Sequence, residues 1–446
     1  MNYTKYDKEK LAYKNFIEIK EKKIFHNHNN NIISKKLKLI KEEKNKMSNE
    51  KTCISKQSII FTNQMNAKQN KNNNLNFNNN ILEKCFSDDK KNINKQFCPN
   101  INNDFRIILK NVGNTTYMNS ALRCLSNNYN FSSYYLKNKD VLNNNKQDIP
   151  ISYAFSRIIY HLYPEKDKPF HHSYSLDKFH KTIMQLNPIF RGKSTKNAID
   201  FLIYLIERLH EENKLLKKIL KNSGKTEPIE IDYNNNNDKY MKLLNEIKDS
   251  KVYGEFCWIN KSVEKCWSCG NEKMTFNSFF TYDLDFENAL RKTILNYNKE
   301  LTILNCIKYS LETENLYNVF CEKCDMMTNI EKKSSIQLCG NSLIFLFRGI
   351  EKIENINNIK NNGIKLKIEE KLNLPNLIGN SNYIYALNGL ISYNIEESEY
   401  IAYSIDPFNR KWYKYIKEDI IAVELNDFIN EYELKIFPVI LFYRRI

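Results

Sequence analysis

Apolar and polar positions divide the chain into three textures. From Met1 to about Asp104, in stretches such as "NQMNAKQNKNNNLNFNNN", apolar residues are scattered without a period of 2 or 3.6. They are too few to offset the entropy of ordering, which predicts a disordered Asn/Lys-rich region over residues 1–104. For the segment "IISKKLKLIKEEKNKM" a charged, flexible stretch is the favoured reading over a short basic helix on a partner. At Phe105 the pattern changes: "FRIILK" predicts a strand, "NVG" a turn, and "TTYMNSALRCLSNN" a helix. In "NAIDFLIYLIERLHEE", Ala198, Phe201, Leu202, Leu205, Ile206 and Leu209 recur on one helical face, a core stripe. The Asn-rich continuation predicts an inserted surface loop with helical fragments over about 212–250. After Tyr253 come short aromatic and β-branched runs, among them "MTFNSFFTYDLDF", "SLIFLFRGI", "NYIYALNGLISYNI" and "FPVILFYRRI". Helices first and strands afterwards predict an α+β architecture, not alternating βαβ units.

Composition narrows the function. The net charge of +16 suggests nucleic acid or an anionic membrane until its distribution is read. Residues 1–104 hold 21 Lys/Arg against 11 Asp/Glu, and the remainder holds 47 against 41. The folded part is only mildly basic, with no compact aromatic and basic patch and few arginines, which argues against a zinc-ribbon nucleic-acid binder. No window approaches the roughly 18 apolar residues of a membrane span, and the first residues lack a secretory core. Eleven cysteines in 446 residues are too sparse for a disulfide scaffold, so the expected setting is a reducing one, cytoplasmic and/or nuclear.

Two pairs of cysteines have metal spacing: Cys266 and Cys269 in "EKCWSCGNEK", Cys321 and Cys324 in "VFCEKCDMM". Two C-x-x-C knuckles supply the four thiolates of a tetrahedral structural Zn2+ site, with no position left open for catalysis. Cys124, Cys257, Cys306 and Cys339 are expected to be small buried hydrophobes.

The stretch "NVGNTTYMNSALRCL" closely resembles the cysteine box of the ubiquitin-specific proteases, papain-like peptidases that hydrolyse bonds to the C-terminus of ubiquitin. Further stretches resemble the same family in order: "STKNAIDFLIYLIERLHEE", the two C-x-x-C pairs, "SLIFLFRGI", "SEYIAYSI", "KWYKYI" and "VILFYRR". The resemblance covers residues 105–446. It implies a right-hand fold with helical thumb (about 105–250), zinc-ribbon fingers (about 251–335) and β-rich palm (about 336–446). It also implies a ubiquitin or ubiquitin-like partner.

The departures fall at the chemistry. Thr116 stands at the family's nucleophilic cysteine, Glu399 at its histidine and Ile416 at the orienting Asp/Asn, whereas Asn111 matches the oxyanion position. A threonine hydroxyl needs a base with a pKa near the working pH, and a glutamate, ordinarily near about 4.3, is a poor one. The seven histidines, His26, His28, His161, His171, His172, His180 and His210, leave the palm without any imidazole. A bulge bringing Glu418 or Asp419 to the third position would supply orientation without a nucleophile or a base. The expected function is therefore a catalytically inactive member that binds ubiquitin or a protein partner. The alternatives are an active deubiquitinase cleaving ubiquitin C-terminal bonds and a zinc-containing scaffold of an RNA-processing assembly.

Overall fold

The computed structural model describes residues 107–164, 171–192, 195–222, 238–350, 352, 358–359, 361–374, 383–429 and 436–446. The disorder expected over 1–104 lies outside them.

The chain enters along β1 (Ile108–Lys110), parallel to β2 (Ser173–Ser175). Gly113, at φ +81°, takes the left-handed turn that brings the backbone into α1 (Thr116–Ser126). This helix is buried at every residue but Asn119, so it is a central strut and not a surface amphipath. Around it pack α2 (Tyr129–Lys137), α3 (Lys139–Asn144), α4 (Pro150–Leu162), α5 (Asp177–Leu186) and α6 (Ala198–Asn222). Phe131, Tyr135, Phe155 and Phe256 meet edge to face at ring distances of 5.0–5.2 Å, the geometry aromatic quadrupoles favour. At the N-terminus of α4, Pro150 needs no partner, while the N–H groups of Ile151 and Ser152 donate to the buried Glu212 carboxylate at 3.1 and 2.5 Å. A side chain from α6 thus does the work of an N-cap.

Within the span 212–250, expected to be an inserted loop with helical fragments, the described residues 212–222 and 238–249 are helical. Leu216 and Leu220 prolong the buried stripe of α6, and Asn213 turns inward to donate to the Tyr135 hydroxyl at 2.9 Å. Two helices, α7 (Asp238–Asp249) and α8 (Lys251–Phe256), then lead to the strands.

Next comes a four-stranded antiparallel sheet ordered β4-β3-β8-β7, from β3 (Trp258–Cys266), β4 (Glu272–Phe279), β7 (Glu314–Cys321) and β8 (Met326–Cys339). The span expected to be all fingers is interrupted by β5 (Tyr282–Asp283), α9 (Phe286–Leu295), β6 (Glu300–Thr302) and α10 (Ile303–Ser310). Their buried Leu284, Phe286, Leu290, Ile303 and Ile307 belong to the main core. Accordingly β5 pairs with β9 (Ser342–Leu346) and β6 with β10 (Lys365–Lys367), both parallel.

The palm sheet is completed by β11 (Lys371–Asn373), β12 (Ile384–Asn394), β13 (Glu399–Ile405), β14 (Trp412–Ile416) and β15 (Asp419–Val423). The short α11 (Leu425–Ile429) precedes β16 (Ile436–Arg445), and the order is β15-β14-β13-β12-β16-β9-β5, with β11 on β12. Strand β13 is buried at six of its seven residues because α1 lies across it, and sheets covered on both faces read as continuous apolar runs. Close approach is possible because residue 389 is glycine: a Cβ there would sit 3.2 Å from Cys124 Sγ on α1. Polar ties fix the helices to the sheet. Asn127 Nδ2 donates to Ser404 Oγ at 3.0 Å, and Asn128 Nδ2 and Ser342 Oγ both donate to the buried Glu255 carboxylate, at 2.8 and 2.7 Å. Cys124, Cys257, Cys306 and Cys339 are all buried. Among the described residues no helix is long and apolar enough to cross a membrane.

Candidate functional site

The N-terminus of α1 meets the edge of β13 and the β14–β15 hairpin. A knot of side chains fixes the helix entry: Asn119 Nδ2 donates to Asn111 Oδ1 and to the Leu109 carbonyl, both at 2.8 Å. The Val112 N–H donates to Thr115 Oγ1 at 3.0 Å. Thr116 follows as the first helical residue, 8% exposed, and its Oγ1 accepts from the Tyr400 N–H at 3.1 Å. The Thr116 hydroxyl therefore ties helix to strand.

Glu399 opens β13 and is buried, but its carboxylate faces Lys417: Nζ lies 3.4 Å from Glu399 Oε1 and 3.3 Å from Glu397 Oε2. No hydrogen bond joins Glu399 to Thr116 among the described residues. The two acidic side chains pull the Lys417 ammonium above its usual value, so it stays protonated and is no base. Ile416 ends β14, paired with Asp419 across a tight hairpin whose Lys417 has φ +52°. Asn111, Thr116, Asn119, Arg123, Tyr400 and Lys417 line a cleft of about 30 Å3, with Glu418 and Asp419 also on its wall. The structure thus brings Thr116 and Asn111 together, directs Glu399 to a lysine, and leaves Ile416 off the lining. The hairpin does place Glu418 and Asp419 at the cleft.

Sequence reasoning missed Lys417 and Arg123. Arg123 interrupts the apolar stripe of α1, which was its signal. It is 2% exposed, donates through Nη2 to the Ile107 carbonyl, and stacks 4.4 Å from the centre of the Tyr415 ring. Burial holds its guanidinium below the usual value. Of the described histidines, none lines the cleft; burial lowers both His161 and His210 to about 4.

The four predicted metal ligands do come together. The Sγ atoms of Cys266, Cys269, Cys321 and Cys324 all lie within 4.8 Å of one another, with Cys266–Cys324 at 3.7 Å and Cys269–Cys321 at 3.8 Å. Sulfurs at the corners of a tetrahedron with Zn–S bonds of about 2.3 Å stand about 3.8 Å apart, so the set fits Zn2+. Each knuckle closes on a residue of positive φ, Gly270 at +68° and Asp325 at +52°, with N–H groups returning to the Cys266 and Cys321 carbonyls. Among the thiols alone, the Cys269 backbone N–H brings Cys266 down to about 6, while hydrogen bonding with Cys269 pushes Cys324 up to about 12. A dication is what allows all four to ionise. The cluster lies at the far end of the finger sheet and is structural.

Comparisons with known proteins agree with this architecture. Ubiquitin carboxyl-terminal hydrolase 2 of Homo sapiens is 27% identical over 240 residues, covering 51% of this chain and 37% of that protein. Ubiquitin carboxyl-terminal hydrolase Usp2 of Drosophila melanogaster is 22% identical over 354 residues, covering 76% and 34%. The chain spans about a third of the length of these curated relatives. Among solved structures, a chain of the SAGA Ubp8/Sgf11/Sus1/Sgf73 DUB module bound to ubiquitin aldehyde superposes with a TM-score of 0.57 at 20% identity. That match covers 83% of this chain and 75% of that one, and shows a shared fold. The family model for ubiquitin carboxyl-terminal hydrolase matches residues 107–443, the same stretch that builds thumb, fingers and palm, and the chain belongs to that family as a ubiquitin-specific protease member.

Proposed function

We propose that this protein is a non-catalytic family member that binds ubiquitin or a ubiquitin-like modifier. The observation that carries this reading is the use of Thr116 Oγ1 as the acceptor for the Tyr400 N–H. An alkoxide would need a base beside it. The cleft offers an ammonium at Lys417 and carboxylates at Glu418 and Asp419, and no imidazole among the described residues. Loss of one member of a nucleophile–base pair commonly removes about 10⁶ of the acceleration, and here both positions have changed. Modifier binding spread over palm and fingers needs none of these groups.

A second reading, a subunit of a protein assembly, is favoured by the zinc tip. Trp267, Tyr317, Phe320 and Met327 are each more than half exposed there, and Trp267 and Tyr317 touch edge to face. Contiguous exposed apolar side chains mark protein contacts.

The test uses the full zinc-loaded chain, with ubiquitin carrying a fluorogenic C-terminal leaving group. The expected result is no turnover above buffer, together with calorimetric binding of free ubiquitin near about 1 μM, about −8 kcal/mol. Turnover that Thr116→Ala abolishes would overturn the non-catalytic reading and establish the active deubiquitinase in its place.

A further inference from the structure

Four large apolar side chains stand exposed on one face of the finger tip. Phe320 pairs with Met327 across β7 and β8, and the Trp267 N–H donates to the Asn329 carbonyl, two residues along β8 from Met327. Side chains two apart on a strand share a face, so Met327, Phe320 and Trp267 lie on the same side of the sheet. Tyr317 joins them through its ring contact with Trp267, at 6.4 Å between centres. The zinc thiols belong to the opposite face. Cys266 pairs with Ile330 and Cys321 with Met326, the alternate residues of β8, where Thr328 and Ile330 are buried. The knuckles that hold the metal therefore stiffen this platform from behind. Nearer the palm the same face is covered: Phe276, paired with Lys261 on β3, is buried beneath Tyr240 of α7 at a ring distance of 4.9 Å. The outer platform has no such cover among the described residues.

Area, charge and strand geometry restrict what can cover it. Trp267, Tyr317, Phe320 and Met327 are 53–66% exposed. At about 200 Å2 for each free side chain, this leaves about 500 Å2 of apolar surface on one copy. Two such platforms face to face bury about 1,000 Å2, the threshold of a specific interface, with nothing required from another protein. The border carries both signs: in the register Lys265 lies between Glu272 and Glu331, and Lys333 stands two residues further along β8. Such a border neither steers a strongly charged partner nor repels an identical copy, and a two-fold rotation can set lysines against glutamates. The sheet edge is closed to the alternative of strand addition. β7 pairs with β8 alone, but an extra residue between Leu316 and Val319, with Asn318 at φ +56°, breaks its ladder. Bulges of this kind discourage edge pairing, so contact is left to the face.

We propose that the zinc-bearing tip is a self-association surface, on which a second copy of this chain docks face to face about a two-fold axis. Trp267 and Tyr317 of each copy form the buried centre, and the row of lysines and glutamates forms the rim. The inference rests on the reading of the tip as a protein contact and names its occupant.

Sedimentation equilibrium on the full zinc-loaded chain, from about 1 to about 200 μM, measures the association, and acrylamide quenching of tryptophan emission locates it. Trp258 and Trp412 are buried, so of the three tryptophans it is Trp267 that the quencher reaches. An interface of this size places half-dimerisation on the order of 10 μM, with quenching of the exposed ring falling about two-fold over the same range. Trp267→Ser and Tyr317→Ser should each weaken association by about 10-fold or more, the loss expected of a central aromatic. Because Trp267 adjoins a zinc ligand, Tyr317→Ser, away from the thiols, is the decisive variant, and unchanged zinc content and melting establish that it folds. A monomer across the whole range overturns the second copy as occupant. Added ubiquitin that then shields Trp267 assigns the tip to the modifier, whereas a monomer unaffected by ubiquitin leaves the assembly reading with a different partner. A dimer that both substitutions leave intact, or one in which quenching does not change, places the contact elsewhere and refutes the assignment.

Discussion

Replacing Thr116 by valine tests whether its hydroxyl is an acceptor in the fold. Valine is nearly isosteric, so packing around the start of α1 should change little. The Tyr400 N–H, however, loses an acceptor at 3.1 Å in a place where Thr116 and Tyr400 are both 8% exposed. Withdrawing a buried acceptor costs about 1–3 kcal/mol. With about 2.1 cal/mol/K per residue over the roughly 340 residues of the family domain, the unfolding entropy is about 0.7 kcal/mol/K, which converts the loss to about 1.5–4 °C in Tm. Thr116→Ser keeps the oxygen and should stay within about 1 °C. Calorimetry on the zinc-loaded protein at fixed pH measures both variants. Should Thr116→Val melt with the parent, the hydroxyl is not the acceptor described, and the strongest support for a non-catalytic role disappears with it.

The other predictions concern the metal, a helix terminus and pH. One zinc per chain is expected by emission spectroscopy, and chelation or Cys269→Ser should strip hydrogen-exchange protection from β7 and the outer half of β8 first. Glu212→Ala removes both acceptors from the N-terminus of α4 and should destabilise by about 2–4 kcal/mol in denaturant titration. His210 is buried and held at about 4, below its ordinary value near about 6.5, so the unfolded chain takes up its proton first as pH falls. Its contribution to stability is therefore complete above about pH 6.5 and is lost progressively toward pH 4, by on the order of 3 kcal/mol; His210→Phe should flatten that limb of the pH–stability curve. A parent protein equally stable at pH 6.5 and 4.5 would contradict the burial argument.

Much of this molecule was legible in its sequence, for reasons that differ by element. The zinc cluster was the clearest case, because four thiols at C-x-x-C spacing admit few other arrangements, and the sulfurs stand at tetrahedral separations. The stripe in α6 was readable from its period, yet its continuation through Leu216 and Leu220 was hidden by the lysines and asparagines around it. Local polarity there masked two apolar contacts made only in the folded state. The passage of β5 to α10 out of the fingers was also invisible, since short apolar strands do not declare which sheet they join. At the candidate site the motifs single out Thr116, Glu399 and Ile416, but the hydrogen bond from the Tyr400 N–H to Thr116, nearly three hundred residues away, is a tertiary fact. So is the capture of Glu399 by Lys417, which depends on a hairpin turn that periodicity cannot reveal.

The Glu255 junction has a mechanical consequence. Its carboxylate is held by Asn128 from the helical half and Ser342 from the sheet, and Asn128 also donates to Ser342 at 2.7 Å, closing a triangle. Residue 340 is glycine beside it because a Cβ would lie 2.5 Å from the Glu255 carbonyl oxygen. Rotating the two halves against each other would break these hydrogen bonds and leave buried polar groups without partners, at a cost of about 1–3 kcal/mol each. This joint behaves as a weld, so movement within the hand is left to its fingertips and to the β14–β15 hairpin, where Lys417, Glu418, Asp419, Ile421 and Ala422 are exposed.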